Sequence, residues 1–234
     1  MPRGGTLVGV LLTGFAAGVL ACNCYVLAEG PGSDAIIVDP GQRAFGPLRR
    51  ILDQHRLTPA AVLLTHGHID HIWSAQKVGD TFGCPVFIHP ADRFMLTDPI
   101  RGFGPRVAQA ALGALFREPR QVVELDKDGQ RLDLGGFAVI VDHTPGHTRG
   151  SVVFRLPEPT GAGSGGIVLT GDTLFKNSVG RTDLPGGSGR DLLGSIVGKL
   201  LVLDDDTRVL PGHGEASTIG LERRGNPFLQ GMTL

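Results

Sequence analysis

Neither sign of charge is in surplus: 22 Lys and Arg face 23 Asp and Glu, a formal net charge of −1. That balance offers no basic field to a nucleic-acid backbone or an anionic membrane, so the expected partner is a small-molecule substrate. Cysteine is scarce, and Cys22, Cys24 and Cys84 make an odd count. Cys22 and Cys24 stand two apart on a strand-like run, a poor separation for a disulfide with each other, and a reducing, cytoplasmic compartment fits best. A Cys-x-Cys pair could bind metal, but a small buried hydrophobe is the commoner role and the expected one. No internal repeat of fixed period and no long low-complexity run is present. Glycine, by contrast, is abundant: 36 residues, about twice the usual share, without a collagen period, as many tight turns and close backbone approaches require.

Beyond the N-terminal region no run is long and apolar enough to cross a bilayer. There, MPRGGTLVGVLLTGFAAGVLAC admits two readings: a lipoprotein-type leader that would anchor the protein through Cys22, or the first strands of the fold. The residues that follow favour strands, because NCYVLAE and AIIVDPG flank a turn at GPGSD with no polar linker. A length of 234 residues suits one domain, 1–234, with a sizeable core.

Further along, Leu48, Ile51 and Leu52 recur at helical spacing ahead of Pro59, which predicts a helix from about Phe45 to Arg56. AAVLLT (60–65) reads as a buried strand, IWSAQKVGDTF as a helix and PVFIHP as a strand. An Ala/Leu-rich helix is expected over about Pro105 to Phe116. QVVEL, FAVIVDH, SVVFRL, GIVLTG and TRVLPG read as further strands, with EPTGAGSGG (158–166) as a hairpin loop. Four of these strands end directly on His or Asp, at the carboxyl edge where open α/β sheets place their ligands.

The first such end is T-H-G-H-I-D-H (65–71), which holds three of the chain's eight histidines. Imidazole and carboxylate are the common nitrogen and oxygen ligands of zinc and iron. An H-x-H pair on a loop can face one ion while the following D-H turns toward another. The other ends carry H-T-P-G-H-T (143–148), G-D-T-L-F (171–175) and P-G-H-G-E (211–215). His143 and His89 are expected to shape loops near the site, and His55 to lie on the surface.

In this order the four segments resemble the metallo-β-lactamase superfamily, over a stretch from NCYVL near residue 23 to NPFL at 226. The resemblance implies an α/β fold: an αββα sandwich of two mixed β-sheets face to face, helices on the outer faces, and a metal pair in the groove at one edge. Carried over, His66, His68 and His147 would bind the first ion and Asp70, His71 and His213 the second. Asp172 would bridge them beside a hydroxide. The implied cofactors are two zinc ions, or iron, or a zinc/iron mixture. Zinc lowers the pKa of water to about 7, which supplies a nucleophile without Ser or Cys. Asp70 and Asp172 are the implied catalytic carboxylates, Asp70 also helping to move the proton.

GDTLFKNSVGRTDLPGG (171–187) narrows the branch. It is similar to the glyoxalase II group, the hydroxyacylglutathione hydrolases, in which a basic residue after GDTLF grips the substrate carboxylate. Arg181 falls there, and a guanidinium fork suits a carboxylate; pairing of Arg181 with Asp183 is the alternative. Typical members have an aromatic residue two positions later and a C-terminal helical domain, where this chain has Asp183 and about twenty residues after His213. It is closer to short glyoxalase II-like hydrolases that share GRTD, PGG, PGHG and the ERR-NPF tail. The implied reaction is hydrolysis of a hydroxyacyl thioester. GRTD also occurs in persulfide dioxygenases, single-iron relatives whose ligands would correspond to His66, His147 and Asp172. PGHGE around His213 favours the hydrolase. His71 in place of Arg and the Asp172 bridge weigh against a β-lactamase. A lactonase would offer a tyrosine near the metals, whereas the single tyrosine, Tyr25, sits on an early strand.

Overall fold

Alternating apolar residues along paired strands build two sheets, each with one face for the other sheet and one for helices. The structure is a computed structural model that describes residues 5–7, 10–99, 116–157 and 166–231. The first sheet runs in chain order: β1 (Gly5–Leu7), β2 (Val10–Ala17), β3 (Cys22–Ala28), β4 (Asp34–Val38), β5 (Thr58–Leu63), β6 (Val86–Ile88) and β7 (Val122–Glu124). Its first four strands pair antiparallel and the rest parallel, because α1 (Phe45–His55) and the pair α2 (Ile69–Ile72) and α3 (Ala75–Phe82) carry the chain back between β4, β5 and β6. The second sheet has the order β15-β14-β11-β10-β9-β8, built from β8 (Gln130–Leu134), β9 (Phe137–His143), β10 (Val152–Leu156), β11 (Ile167–Gly171), β14 (Arg208–Pro211) and β15 (Ser217–Thr218). Only its β11–β14 pair is parallel. β12 (Leu174–Phe175) and β13 (Ser178–Val179) form a small hairpin of their own.

Period-two alternation sorts the core into layers. Leu27, Ile36, Val38 and Leu63 meet Val139, Val141, Phe154 and Leu169 between the sheets. Their strand neighbours Val26, Ala35, Ile37 and Val62 face outward onto Leu48, Leu52, Ala75 and Val78 of α1 and α3. On the far side Val153, Val168 and Val209 pack on Leu192 of α4 (Gly189–Ser195), on Ile196 and Leu200 of the π-turn continuing it, and on Ile219 of α5 (Ile219–Gly225). Helix, sheet, sheet, helix is the expected αββα sandwich. Ser188 caps α4 and Thr218 caps α5, each accepting from a backbone N–H three residues on.

The early strands form as expected, and Cys22 is fully buried within β3. IWSAQKVGDTF is not one helix: Ser74 N donates to Pro40 O at 2.8 Å and Ser74 Oγ to Gly41 O at 2.7 Å, and these tertiary bonds break it between α2 and α3. The helix expected near Pro105 to Phe116 and the loop over 158–165 lie outside the described residues, Phe116 excepted. Among the described residues no helix is long and apolar enough to cross a membrane.

Candidate metal centre

β4 and β5 are parallel, as are β11 and β14, so each pair delivers its carboxyl ends at one edge. Asp39 follows β4, Thr65 to His71 follow β5, Asp172 follows β11 and His213 follows β14; His147 comes from the turn after β9. His68 has extended backbone directly before α2, whereas Asp70 and His71 lie inside that short helix. This switch sends H-x-H and D-H to different partners.

All seven expected residues converge. His68 Nδ1 lies 2.8 Å from His147 Nε2 and 3.1 Å from His66 Nε2. His213 Nε2 lies 3.2 Å from Asp70 Oδ2 and 3.3 Å from His71 Nε2. Asp172 reaches both groups: its Oδ1 is 3.3 Å from His71 Nε2, and its Oδ2 is 3.5 Å from His147 Nε2 and 3.6 Å from His213 Nε2. Gly212 keeps this space open, since a Cβ there would run into Asp172 Oδ1 and the His71 ring.

Hydrogen bonds behind the rings fix which nitrogen faces inward. The Nδ1 atoms of His71, His147 and His213 sit 2.9, 2.8 and 3.0 Å from Asp39 Oδ2, Arg181 O and Leu20 O. Each acceptor takes the Nδ1 proton and aims Nε2 at the centre, where it offers a lone pair when the ring is neutral. Thr65 Oγ1 donates to Asp39 Oδ2 at 2.7 Å, which leaves it to accept from His66 Nδ1 at 3.1 Å. Lone pairs crowded in this way repel unless a cation lies among them. Imidazole nitrogens held about 2.0–2.1 Å from a tetrahedral zinc stand about 3.3 Å apart, close to the spacings here. The donor set therefore fits metal: two triads, His66/His68/His147 and His66/His71/Asp172, each bring one ligand atom per residue within 4.8 Å of the others.

Burial, reinforced by neighbouring imidazoles, holds His66 well below the usual imidazole range and His68 down to about 3. Burial lowers His147 also. His71 goes the other way: burial opposes its charge, but Cys22, Asp172 and Asp39 together raise it. In His213, burial is likewise outweighed, by its hydrogen bond to Asp70 and by Asp172. Asp172 resists protonation although burial alone would favour it, because His71 and His147 hold its charge.

A stability optimum near the ordinary histidine pKa of 6.5 follows for the metal-free protein. Below it, the unfolded chain takes up protons that folded His66, His68 and His147 refuse, so stability falls with pH, by roughly 1.4 kcal/mol per pH unit per proton at most. Above it, folded His71 and His213 keep protons the unfolded chain has released, so stability falls again as pH rises. Urea titrations of chelator-treated protein at pH 4.5, 6.5 and 8 check this; equal stability at all three would contradict it.

Two carboxylates outside the expected set organise the site. Asp39, at a left-handed φ of 48°, receives Thr65 N at 2.8 Å as well as Thr65 Oγ1 and His71. That conformation costs on the order of 1–3 kcal/mol for a non-glycine residue and is held by these bonds. Asp92, fully buried, accepts from Gly67 N at 2.9 Å, Thr148 Oγ1 at 2.6 Å and Gly150 N at 2.9 Å. It ties the H-x-H loop to the TPGHT loop. The only sequence signal was an acidic residue in a strand-end loop, which is not distinctive.

Arg181 meets Asp183 side by side, with Nε and Nη2 each 2.8 Å from a carboxylate oxygen, on the exposed surface. His143 stacks on His89 at 4.2 Å and reaches Arg149 O at 2.9 Å. The ERR-NPF tail holds the hairpin after Asp172: Glu222 accepts from Asn177 N and Asn226 Nδ2, and Asn226 Nδ2 also donates to Ser178 O.

Comparison with known proteins bears on the family and the fold. A sequence model described as the metallo-β-lactamase superfamily matches residues 17–213. The chain is 73% identical over 224 residues to an uncharacterized protein of Mycobacterium tuberculosis (strain ATCC 25618 / H37Rv), covering 96% of this chain and 100% of the relative. It is 35% identical over 211 residues to the hydroxyacylglutathione hydrolase GloC of Haemophilus influenzae, covering 88% of this chain and 92% of that one. Among solved structures, the B3 metallo-β-lactamase BLEG-1 superposes with a TM-score of 0.79 at 38% identity, over 94% of this chain and 100% of that one. The protein TTHA1623 in a di-iron-bound form superposes at 0.73, also at 38% identity, over 91% and 97%.

Proposed function

Because the chain belongs to the metallo-β-lactamase superfamily, we propose that it is a binuclear metal-dependent hydrolase of hydroxyacyl thioesters, similar to glyoxalase II. The observation that carries the reading is Asp172, which stands 3.3–3.6 Å from histidines of both groups, where a shared carboxylate would screen two cations from each other. His66, His68 and His147 would hold one ion, Asp70, His71 and His213 the other, and Asp172 both; two zinc ions are proposed, with iron or a zinc/iron pair as the variant. When bound, such ions acidify water and polarise a carbonyl. The protein's part is to position and to move protons. Asp39, Arg181 O and Leu20 O aim the imidazoles. Asp70, beside His213, takes one proton of the attacking water and passes it to the leaving sulfur as the C–S bond breaks, giving a thiol and a carboxylic acid that releases its remaining proton to solvent.

Arg181 is proposed to take a carboxylate on the thiol portion of the substrate. Its pair with Asp183 is solvent-exposed and contributes little, so a substrate carboxylate can displace it. GloC supports the thioester assignment by similarity over most of both chains. The test is elemental analysis together with turnover of a carboxylate-bearing hydroxyacyl thioester, a neutral thioester, a persulfide and a β-lactam. About two metals per chain and preference for the first substrate are expected. One iron per chain with sulfite formed from the persulfide in air would reassign the protein as a dioxygenase, and preference for the β-lactam would reassign it as a lactamase.

A further inference from the structure

The second group of ligands has a neighbour outside the seven. β3 begins at Cys22, which pairs with His213 in an isolated antiparallel bridge. Asn23 secures that pairing, with its N donating to Gly212 O at 2.7 Å and its Nδ2 to Pro211 O and Gly214 O at 3.0 Å each. Because β3 runs antiparallel to β4, its first residue lies at the edge where β4 delivers Asp39, directly beside the site. Cys22 is fully buried, and its Sγ and one ring nitrogen each of His71 and His213 all lie within 4.8 Å of one another. The sulfur's hydrogen bond is weak, 4.0 Å to Asn23 O. Asp172 Oδ1, 3.3 Å from His71 Nε2, is buried without a hydrogen-bond partner. Lone-pair capacity around His71 thus exceeds what the protein's own hydrogen-bond donors satisfy.

We propose that Cys22 supplies a sulfur ligand to the cation held by His71 and His213. The proposal rests on the reading that the cradle binds metal. As the sulfur–metal bond forms, the thiol gives its proton to solvent, and nothing is oxidised or reduced. A thiolate favours zinc or cobalt over hard, oxygen-seeking cations, so Cys22 would make the two positions unequal in metal preference. Cys24 and Cys84 pack into the core under α1 and α3, which leaves Cys22 as the cysteine placed for this role.

Zinc-edge X-ray absorption on the fully loaded wild-type protein needs no substitution. One sulfur per chain at about 2.3 Å, beside nitrogen and oxygen at about 2.0–2.1 Å, is the expected result. A shell of nitrogen and oxygen alone overturns the sulfur ligand while leaving the metal centre standing, whereas a chain that takes up no zinc overturns both. Cobalt loading gives the second arm: a near-ultraviolet sulfur-to-cobalt charge-transfer band is expected in the wild type and in Cys84→Ser, and is expected to vanish in Cys22→Ser. A band that persists in Cys22→Ser overturns the proposal. If Cys22→Ser does not fold, the zinc measurement on the wild type decides.

Discussion

Asp172→Ala should lower kcat/KM for the thioester by about 10³-fold or more, about 4 kcal/mol of transition-state stabilisation at 1.36 kcal/mol per decade. His71, His147 and His213, which span both groups, all lie within 3.6 Å of its carboxylate. Without it, two cations a few ångströms apart would lose their shared negative charge, and one should leave. Metal content should therefore fall from about two per chain toward one, read by elemental analysis on protein whose circular dichroism is unchanged. Asp172→Asn separates charge from shape: it keeps an oxygen ligand of the same size but not the negative charge, so its rate should fall nearly as far. An alanine variant that kept both its rate and its metals would remove the bridging role.

Asp92→Ala is expected to have the largest effect on stability. It would strand the N–H groups of Gly67 and Gly150 and the Thr148 hydroxyl, three donors that meet on one buried carboxylate. At about 1–3 kcal/mol for each buried group left without a partner, partly relieved by entering water, the loss should be about 3–5 kcal/mol by urea denaturation. The two loops it joins carry His66, His68 and His147, so metal affinity should also weaken about 10–100-fold, as for other groups that orient ligands. Chelator competition measures the second effect separately. Unchanged metal affinity in a destabilised variant would make Asp92 a packing residue only. Thr148→Val, which removes one donor and keeps the carboxylate, should show about a third of the stability loss.

The ligand motifs were legible because each follows a strand whose apolar run is unambiguous, as in AAVLLT before His66 and GIVLTG before Asp172. The residues that aim them were not. Asp39 reads as the start of a turn at Asp-Pro-Gly, and Asp92 lies 25 and 58 residues from the two glycines it holds, separations that no local pattern encodes. β8 was missed because QRLDL buries neither face fully. β12 and β13 are two residues each and depend on Glu222 and Asn226 from the distant tail. The break at Ser74 escaped for the same reason, since the carbonyls that cause it belong to Pro40 and Gly41.

The seam between β3 and β14 bears on how the centre is made as well as on what it does. Asn23 and Pro211 are joined across 188 residues, so β3 closes against a segment made well after it. The histidines of the first triad are all in the chain once residue 147 has been made, but the second cluster has no His213 until β14 has docked. Closing so long a loop is costly in entropy and slow. Maturation of the proposed centre thus has a direction: its first three imidazoles precede His213 in the chain, and the proposed second cation depends on closure of the seam between β3 and β14.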